Sequence, residues 1–230
     1  MNIFSYFCGQ ITNFSMRHHT QWHDDYWLML LQLYLKNPVG LKPLYSRPMV
    51  DLAMELHIPP QALRRRMEQI DRLDTPRIER IWRTYSKNPT RLSRAVRLLR
   101  SMKGFGLAEE FYEGVELQET FEKDFRPIPE APQLTPMKLT VLLSLYFQLT
   151  PATMVAETPE VQQTARMMKI DTALAVQVLD AFMHCDPYLN RHDFILSPLL
   201  LPCQQVWQRY GNTEPQQLAA LVEELKEYFK

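Results

Sequence analysis

The sequence predicts an all-α protein of two tandem helical repeats, each with a helix-turn-helix-like unit. Apolar residues recur at intervals of three and four, and no stretch alternates as a half-buried strand does. Low glycine content, six residues against 12 methionines, disfavours a turn-rich β sandwich or barrel. Ser or Thr followed closely by Pro recurs where helices should begin. A hydroxyl there caps free backbone N–H groups, and Pro fits the first turn.

The composition is that of a folded chain with ample material for a core. The 230 residues are 46% hydrophobic and 23% charged, which excludes a disordered chain. The longest apolar run spans only Leu139 to Phe147, well short of the roughly 18–20 residues that a membrane helix needs. The three cysteines form no disulfide framework and no signal-peptide pattern is present. We therefore expect a soluble, cytoplasmic protein without membrane association.

Helix-start signals and apolar spacing predict five helices in each half of the chain. Those of the first half span 22–36, 47–57, 60–72, 76–87 and 89–102. Their counterparts span 136–149, 159–169, 172–184, 198–210 and 215–229. Hydroxyl caps are predicted at Ser46, Thr75, Thr135 and Thr158, while Asn88-Pro89 and Glu214-Pro215 mark two further starts.

The two halves align with each other when the chain is shifted by 112 residues. Identical pairs at this shift are Leu30/Leu142, Leu31/Leu143, Leu33/Leu145, Tyr34/Tyr146, Ala53/Ala165, Ile58/Ile170 and Asp74/Asp186. After an insertion in the second copy, Trp82 matches Trp207 and Tyr85 matches Tyr210. Such an ordered series predicts an internal duplication. The expected units are an N-terminal extension (1–20), a basic repeat (21–112), a Pro- and Glu-rich linker (113–134) and an acidic repeat (135–230).

A net charge of zero hides an uneven distribution of charge along the chain. Residues 1–112 hold 17 of the 26 Lys and Arg but 10 of the 26 Asp and Glu, which leaves 9 against 16 in residues 113–230. A basic half favours a polyanionic partner such as nucleic acid. The alternatives are that each half has an ordinary solvated face, or that the two halves attract each other.

Residues 49–67 have the spacing of a helix-turn-helix. Two helices that cross sharply need a small residue where they approach, here Ala53, and apolar residues around the turn, here Leu56 and Ile58. His57 stands at the turn position where Gly is commonest. The residues expected to face outward from or beside the second helix are Gln61, Arg64, Arg65, Arg66 and Gln69. Arg can pair with guanine and Gln with adenine, although a plain helical hairpin has the same apolar pattern.

Basic residues continue at intervals of three or four beyond this unit. They are Arg77, Arg80, Arg83, Lys87, Arg91, Arg94, Arg97 and Arg100, and only Glu79 interrupts them. Because a merely solvated face normally mixes both signs, the pattern favours phosphate contacts, which dominate DNA affinity. A solvated face is the alternative interpretation.

The second copy lacks this basic character. Val176 and Val178 stand where Arg64 and Arg66 stand in the first copy. So apolar a helix cannot face phosphates, and we expect it to be buried or to form a partner-binding or dimer surface.

A family resemblance rests on YLKNPVG at residues 34–40 and on the ungapped stretch 52–74. Its matching positions are Pro48, Leu52, Ala53, Pro60, Leu63, Arg66, Met67, Gln69, Ile70, Leu73 and Asp74. These residues resemble the small helical domain that precedes the nuclease domain in predicted HNH restriction endonucleases (approximately LYxxxPFG, then LAxxLGRTPSSVAMKLxNFASLDP). The resemblance implies DNA binding, with Arg66 and Gln69 in place of the family's Lys and Asn. The sequence departs at His57 (family Gly) and Ile58 (family Arg), and no HNH motif follows, so cleavage is not implied.

The sequence predicts no metal site, cofactor or catalytic site. Candidate ligands occur in two groups, His19, His23 and Asp24 and then His184, Cys185, Asp186 and His192. The first group has no further ligands, which a zinc site needs, and in the second group Cys185 aligns with the core residue Leu73, which favours packing. No phosphate-binding loop or hydrolase motif is present. Asp74 and Asp186 are expected to cap the helices that follow them, and Trp82 and Trp207 to anchor the cores.

These observations together predict a non-enzymatic, regulatory-type protein that binds double-stranded DNA through its basic first repeat. The second repeat would act as a scaffold, bind a protein or self-associate. The alternative is a helical protein–protein interaction module that does not bind nucleic acid.

Overall fold

The computed structural model describes residues 22–102, 105, 121–189 and 197–230, and over this part of the chain the protein is all-α. Its α-helices are α1 Tyr26–Leu35, α2 Arg47–Leu56, α3 Pro60–Arg72, α4 Pro76–Tyr85, α5 Pro89–Arg100, α6 Phe121–Phe125, α7 Pro136–Tyr146, α8 Pro159–Met168, α9 Thr172–Cys185, α10 Leu200–Tyr210 and α11 Pro215–Lys226. Short 3-10 helices cover Pro151–Thr153 and Glu227–Phe229. The all-α prediction is confirmed, and all ten predicted helices are present, with ends that move by at most four residues.

Two of the four predicted hydroxyl caps are confirmed. Thr75 and Thr135 each accept a hydrogen bond at 3.3 Å from the backbone N–H three residues later. The caps predicted at Ser46 and Thr158 are wrong, because these hydroxyls donate to carbonyls of the preceding loop, at 2.9 and 2.5 Å. Loop carbonyls compete with the helix N-terminus for a short hydroxyl side chain.

The capping role predicted for Asp74 and Asp186 is also wrong. The Asp74 carboxylate lies 3.1 Å from the Arg72 guanidinium, and Thr75 caps the next helix. Asp186 accepts hydrogen bonds from the Tyr146 hydroxyl at 2.6 Å and from the backbone N–H of Tyr188 at 2.9 Å. The second carboxylate therefore closes the C-terminal end of α9 and ties it to α7.

One apolar helix lies at the centre of each half. In the first half, α1 packs against α3, α4 and α5, and its buried residues are Trp27, Met29, Leu30, Leu31, Leu33 and Tyr34. In the second half, α7 packs against α6, α8, α9, α10 and α11. Nine of its 11 residues are buried. The helices around it need only one apolar face each, which they bury in the core.

The two halves share several local features. The turn after α2 holds His57 in the left-handed conformation (φ 53°), and the turn after α8 holds Lys169 in the same way (φ 55°). The Tyr34 and Trp82 rings meet edge to face at 5.9 Å, as do those of Tyr146 and Trp207 at 5.7 Å. These features agree with an internal duplication, which stays a prediction until the two halves are superimposed.

The predicted linker 113–134, which the structure describes from residue 121 onward, packs against both halves of the protein. Phe121 packs against the core of the first half, whereas Phe125 packs against that of the second. Between them, Glu122 is 8% exposed and lies 2.9 Å both from Nδ1 of His57 and from the Arg126 guanidinium. The short helix α6 thus joins the α2–α3 turn to the second half.

Lys42 organises the loop between α1 and α2. The side chain is only 6% exposed, and its ammonium group donates to the carbonyls of Tyr34 at 3.4 Å, Lys36 at 2.6 Å and Pro38. Three carbonyl acceptors match the three donors of an ammonium group. At the shift of 112 residues the second copy has Met154, which is also buried, at 5% exposed.

Lys42→Met places the second copy's residue in the first copy and removes all three hydrogen bonds. We expect it to lower the free energy of unfolding by about 1–3 kcal/mol, because three hydrogen bonds are lost, one of them to the buried carbonyl of Tyr34. Urea unfolding followed by circular dichroism measures the change. Lys87→Met, at an exposed position, is the matched control and should change stability by less than about 0.5 kcal/mol. Equal stability of the two variants would contradict a structural role for the Lys42 ammonium.

Candidate nucleic-acid interface

The basic residues predicted to contact phosphates all occupy exposed positions on α4, on α5 or in the turn between them. They lie opposite the faces that contribute Ile78, Leu92 and Val96 to the core. α5 carries four arginines and no acidic residue. The spacing of three or four residues therefore separates a basic outer face from an apolar inner one.

Three of these arginines are paired with carboxylates. The partners are Asp24 for Arg77 at 2.6 Å, Glu79 for Arg83 at 3.2 Å and Glu55 for Arg100 at 2.6 Å. The first and third carboxylates come from other parts of the fold, the segment before α1 and helix α2. The sequence spacing of the arginines could not predict these two pairs.

Five of the basic residues have no carboxylate partner within the described ranges. They are Arg80, Lys87, Arg91, Arg94 and Arg97, and we call them the basic face. The guanidinium of Arg91 lies 5.5 Å from the centre of the Tyr85 ring, so that it stays exposed but is partly ordered by a cation–π contact. Five exposed cations on α4, on α5 and in the turn between them produce a positive potential that attracts polyanions.

Several residues of helix α3 that are predicted to contact DNA make contacts with other parts of the protein. Arg64 donates to the carbonyl of Lys42, and its Nε lies 3.5 Å from Glu68. The amide of Gln61, although exposed, donates to the Tyr45 hydroxyl at 2.9 Å. Arg65 is exposed, and among the residues that the structure describes it has neither a hydrogen-bond nor an ion-pair partner.

Arg66 lies against aromatic rings. Its guanidinium carbon is 5.0 Å from the centre of the Trp22 ring and 5.7 Å from that of Trp27. One of its nitrogens lies 3.4 Å from the side-chain oxygen of Gln69. The two residues that the family resemblance implies for DNA contact are thus held together beside the start of α1. Their aromatic partners lie about 40 residues earlier in the sequence, so the pattern within α3 gave no signal of this contact.

The outer side of α3 is mixed in charge. Asp71 and Arg72 are exposed, and Glu68 is half-exposed. Asp71 also accepts a hydrogen bond from the Tyr34 hydroxyl at 2.5 Å, which raises the pKa of Tyr34 to about 12. The strongest uncompensated positive charge therefore lies on α4 and α5 rather than on the predicted recognition helix.

The helix of the second copy that corresponds to α3 lies within its own core. In α9, Ala175, Val178, Leu179 and Phe182 are fully buried, and the helix packs against α10, α7 and α8. Val176 is partly buried on the same cluster. From sequence, this apolar helix is expected either to be buried or to form a partner-binding or dimer surface, and these residues are buried.

The candidate metal ligands and thiols do not come together as a metal or catalytic site in the described part of the chain. No group of three or more His, Cys, Asp or Glu there could hold a metal ion, and His18, His19 and His192 lie outside the described residues. Burial raises the pKa of Cys185 to about 11 and that of Cys203 to about 12, which keeps both thiols protonated. Among the helices described, none is long and apolar enough to cross a membrane.

Comparison with known protein families, with functionally characterised proteins and with solved structures finds no match to this chain. The resemblance to the helical domain of HNH restriction endonucleases therefore stays a prediction.

The contrast between Arg65 and Arg66 is testable by the same substitution at adjacent positions. Arg66→Gln should lower the free energy of unfolding by about 1 kcal/mol, because it removes the cation from two tryptophan rings. Arg65→Gln should leave stability unchanged, since within the described ranges that side chain has neither a hydrogen-bond nor an ion-pair partner to lose. Thermal unfolding of the two variants measures the difference, and an equal Tm would exclude a structural role for Arg66.

Proposed function

We propose that this protein is a regulatory-type DNA-binding protein that docks on double-stranded DNA through the basic face of α4 and α5. The observation that carries the proposal is the set of five exposed cations that have no carboxylate partner among the residues the structure describes. Protein surfaces normally intersperse both signs of charge, and a single-sign patch raises the rate and the strength of association with a polyanion. Duplex DNA presents regularly spaced phosphates that suit such a patch.

Helix α3 has a narrower role in this proposal than its sequence suggests. Arg64 and Arg66 contribute to the architecture of the first half, and both hold the helix against neighbouring segments. Arg65 is the α3 guanidinium that is exposed and unpaired among the described residues, so it is the residue proposed to approach a base edge or a phosphate. Most of the affinity then comes from phosphate contacts, which position a protein without reading sequence.

Charge reversal on the basic face tests this proposal. Arg94→Glu should weaken binding to a random-sequence duplex by about five- to tenfold near physiological salt, because one phosphate contact is lost and one repulsion is added. Fluorescence anisotropy with a labelled duplex measures the dissociation constant. Because Arg94 is exposed and has no ion-pair partner in the part of the chain that the structure describes, the variant should keep the circular dichroism spectrum of the unmodified protein.

Arg166→Glu provides the matched control. Arg166 is exposed on α8, in the acidic half, and its reversal changes the net charge of the chain by the same amount. Its effect on the dissociation constant should stay below about twofold, because the substitution removes no cation of the basic face and exposed charges outside the contact surface are screened by salt. Equal weakening by the two variants would mean that net charge rather than the basic face controls binding, and absence of binding by the unmodified protein would refute DNA binding.

Exposed apolar side chains favour a second candidate function, a helical protein-interaction module that uses the acidic half. Phe147 is 40% exposed, Val155 42% and Leu201 61%. Where such side chains form one contiguous patch, the patch often marks a protein interface. A protein that binds no duplex in the anisotropy experiment but self-associates in analytical ultracentrifugation would have this function instead.

A further inference from the structure

A cavity of about 220 Å³ lies where the two halves meet. Its lining is mixed: apolar side chains such as Phe121, Phe125, Leu221 and Leu225 share it with polar ones, among them Tyr45, Asp124 and Arg209. A cavity of about 150 Å³ is large enough to hold benzene. The available space therefore suits a molecule with a single ring and a small substituent.

Two phenol hydroxyls, those of Tyr45 and Tyr210, contribute polar atoms to the cavity. Tyr45 accepts a hydrogen bond from the Gln61 amide at 2.9 Å, and Tyr210 accepts one from the Arg209 guanidinium at 3.2 Å. A hydroxyl that accepts still has its own hydrogen to donate. Neither hydroxyl donates to an acceptor among the residues described. The cavity thus presents two unused hydrogen-bond donors.

Both phenols stay protonated at neutral pH. Burial, followed by the charge of Glu224, raises the pKa of Tyr45. Burial raises the pKa of Tyr210 as well, against the lowering effect of Arg209. In the protonated form each phenol O–H can donate a hydrogen bond while its oxygen accepts one.

The charge around the cavity disfavours an anionic ligand. Arg209 is held by both oxygens of Asp124, at 2.6 and 3.1 Å, so its positive charge is already compensated. Glu224 adds a negative charge close to Tyr45. A carboxylate in the cavity would be repelled, whereas a neutral oxygen acceptor would not.

We propose that this cavity binds a small neutral molecule with an apolar ring and a carbonyl oxygen, which accepts hydrogen bonds from Tyr45 and Tyr210. The two phenols position the oxygen, and the side chains of α6 and α11 enclose the ring. Because these residues come from both halves, the ligand would tie the halves together. This site requires neither the basic face nor DNA.

Benzamide is a probe of this chemistry, and its binding to the full chain can be followed by NMR titration. Tyr45→Phe and Tyr210→Phe keep the rings and remove one donor each, and each should raise the dissociation constant for benzamide about fivefold. Tyr188→Phe is the matched control, because Tyr188 is 91% exposed, and it should leave the dissociation constant unchanged. Circular dichroism checks that all three variants are folded.

Two further probes separate the parts of the proposal. Toluene, which has the ring without the acceptor, and benzoate, which carries a charge, should each bind at least about fivefold more weakly than benzamide. The proposal is overturned if benzamide shows no saturable shifts up to its solubility limit, or if toluene or benzoate binds as tightly as benzamide. It is also overturned if the three Tyr→Phe variants bind benzamide equally well.

Discussion

Burial of one apolar helix at the centre of each half is the constraint on which the rest of the structure depends. α1 and α7 contribute most of their residues to the two cores, and burying each large aliphatic side chain contributes about 1.5–3 kcal/mol. The surrounding helices have to supply only one apolar face each. Their outer faces are free to vary in charge without loss of the core.

The first half uses this freedom to present positive charge, and the second half does not. On α5 the outer face consists largely of arginines, whereas α9 is covered by neighbouring helices on most of its surface. The same arrangement of helices can therefore carry two surfaces of different chemistry. In our proposal only the first surface meets DNA, while the short helix α6 and the cavity beside it form the junction between the halves.

The helices could be predicted from sequence because their signals are local. Apolar spacing and proline positions placed α2, α3, α8 and α9 to within a residue at each end. Which arginines are paired and which are not could not be predicted in this way, because the contact partner of each arginine is determined by the tertiary fold. Arg66 meets Trp22, and Arg100 meets Glu55, 45 residues away. The His57–Glu122 contact and the cavity likewise arise from segments that are distant in sequence.

The central claim is that uncompensated cations on α4 and α5 bind the phosphates of duplex DNA. The salt dependence of the association constant of the unmodified protein tests it most directly. If the five residues of the basic face each neutralise one phosphate, log K plotted against log[salt] should fall with a slope of about −4 to −5. A slope near zero, or no measurable association even at low salt, would contradict the claim.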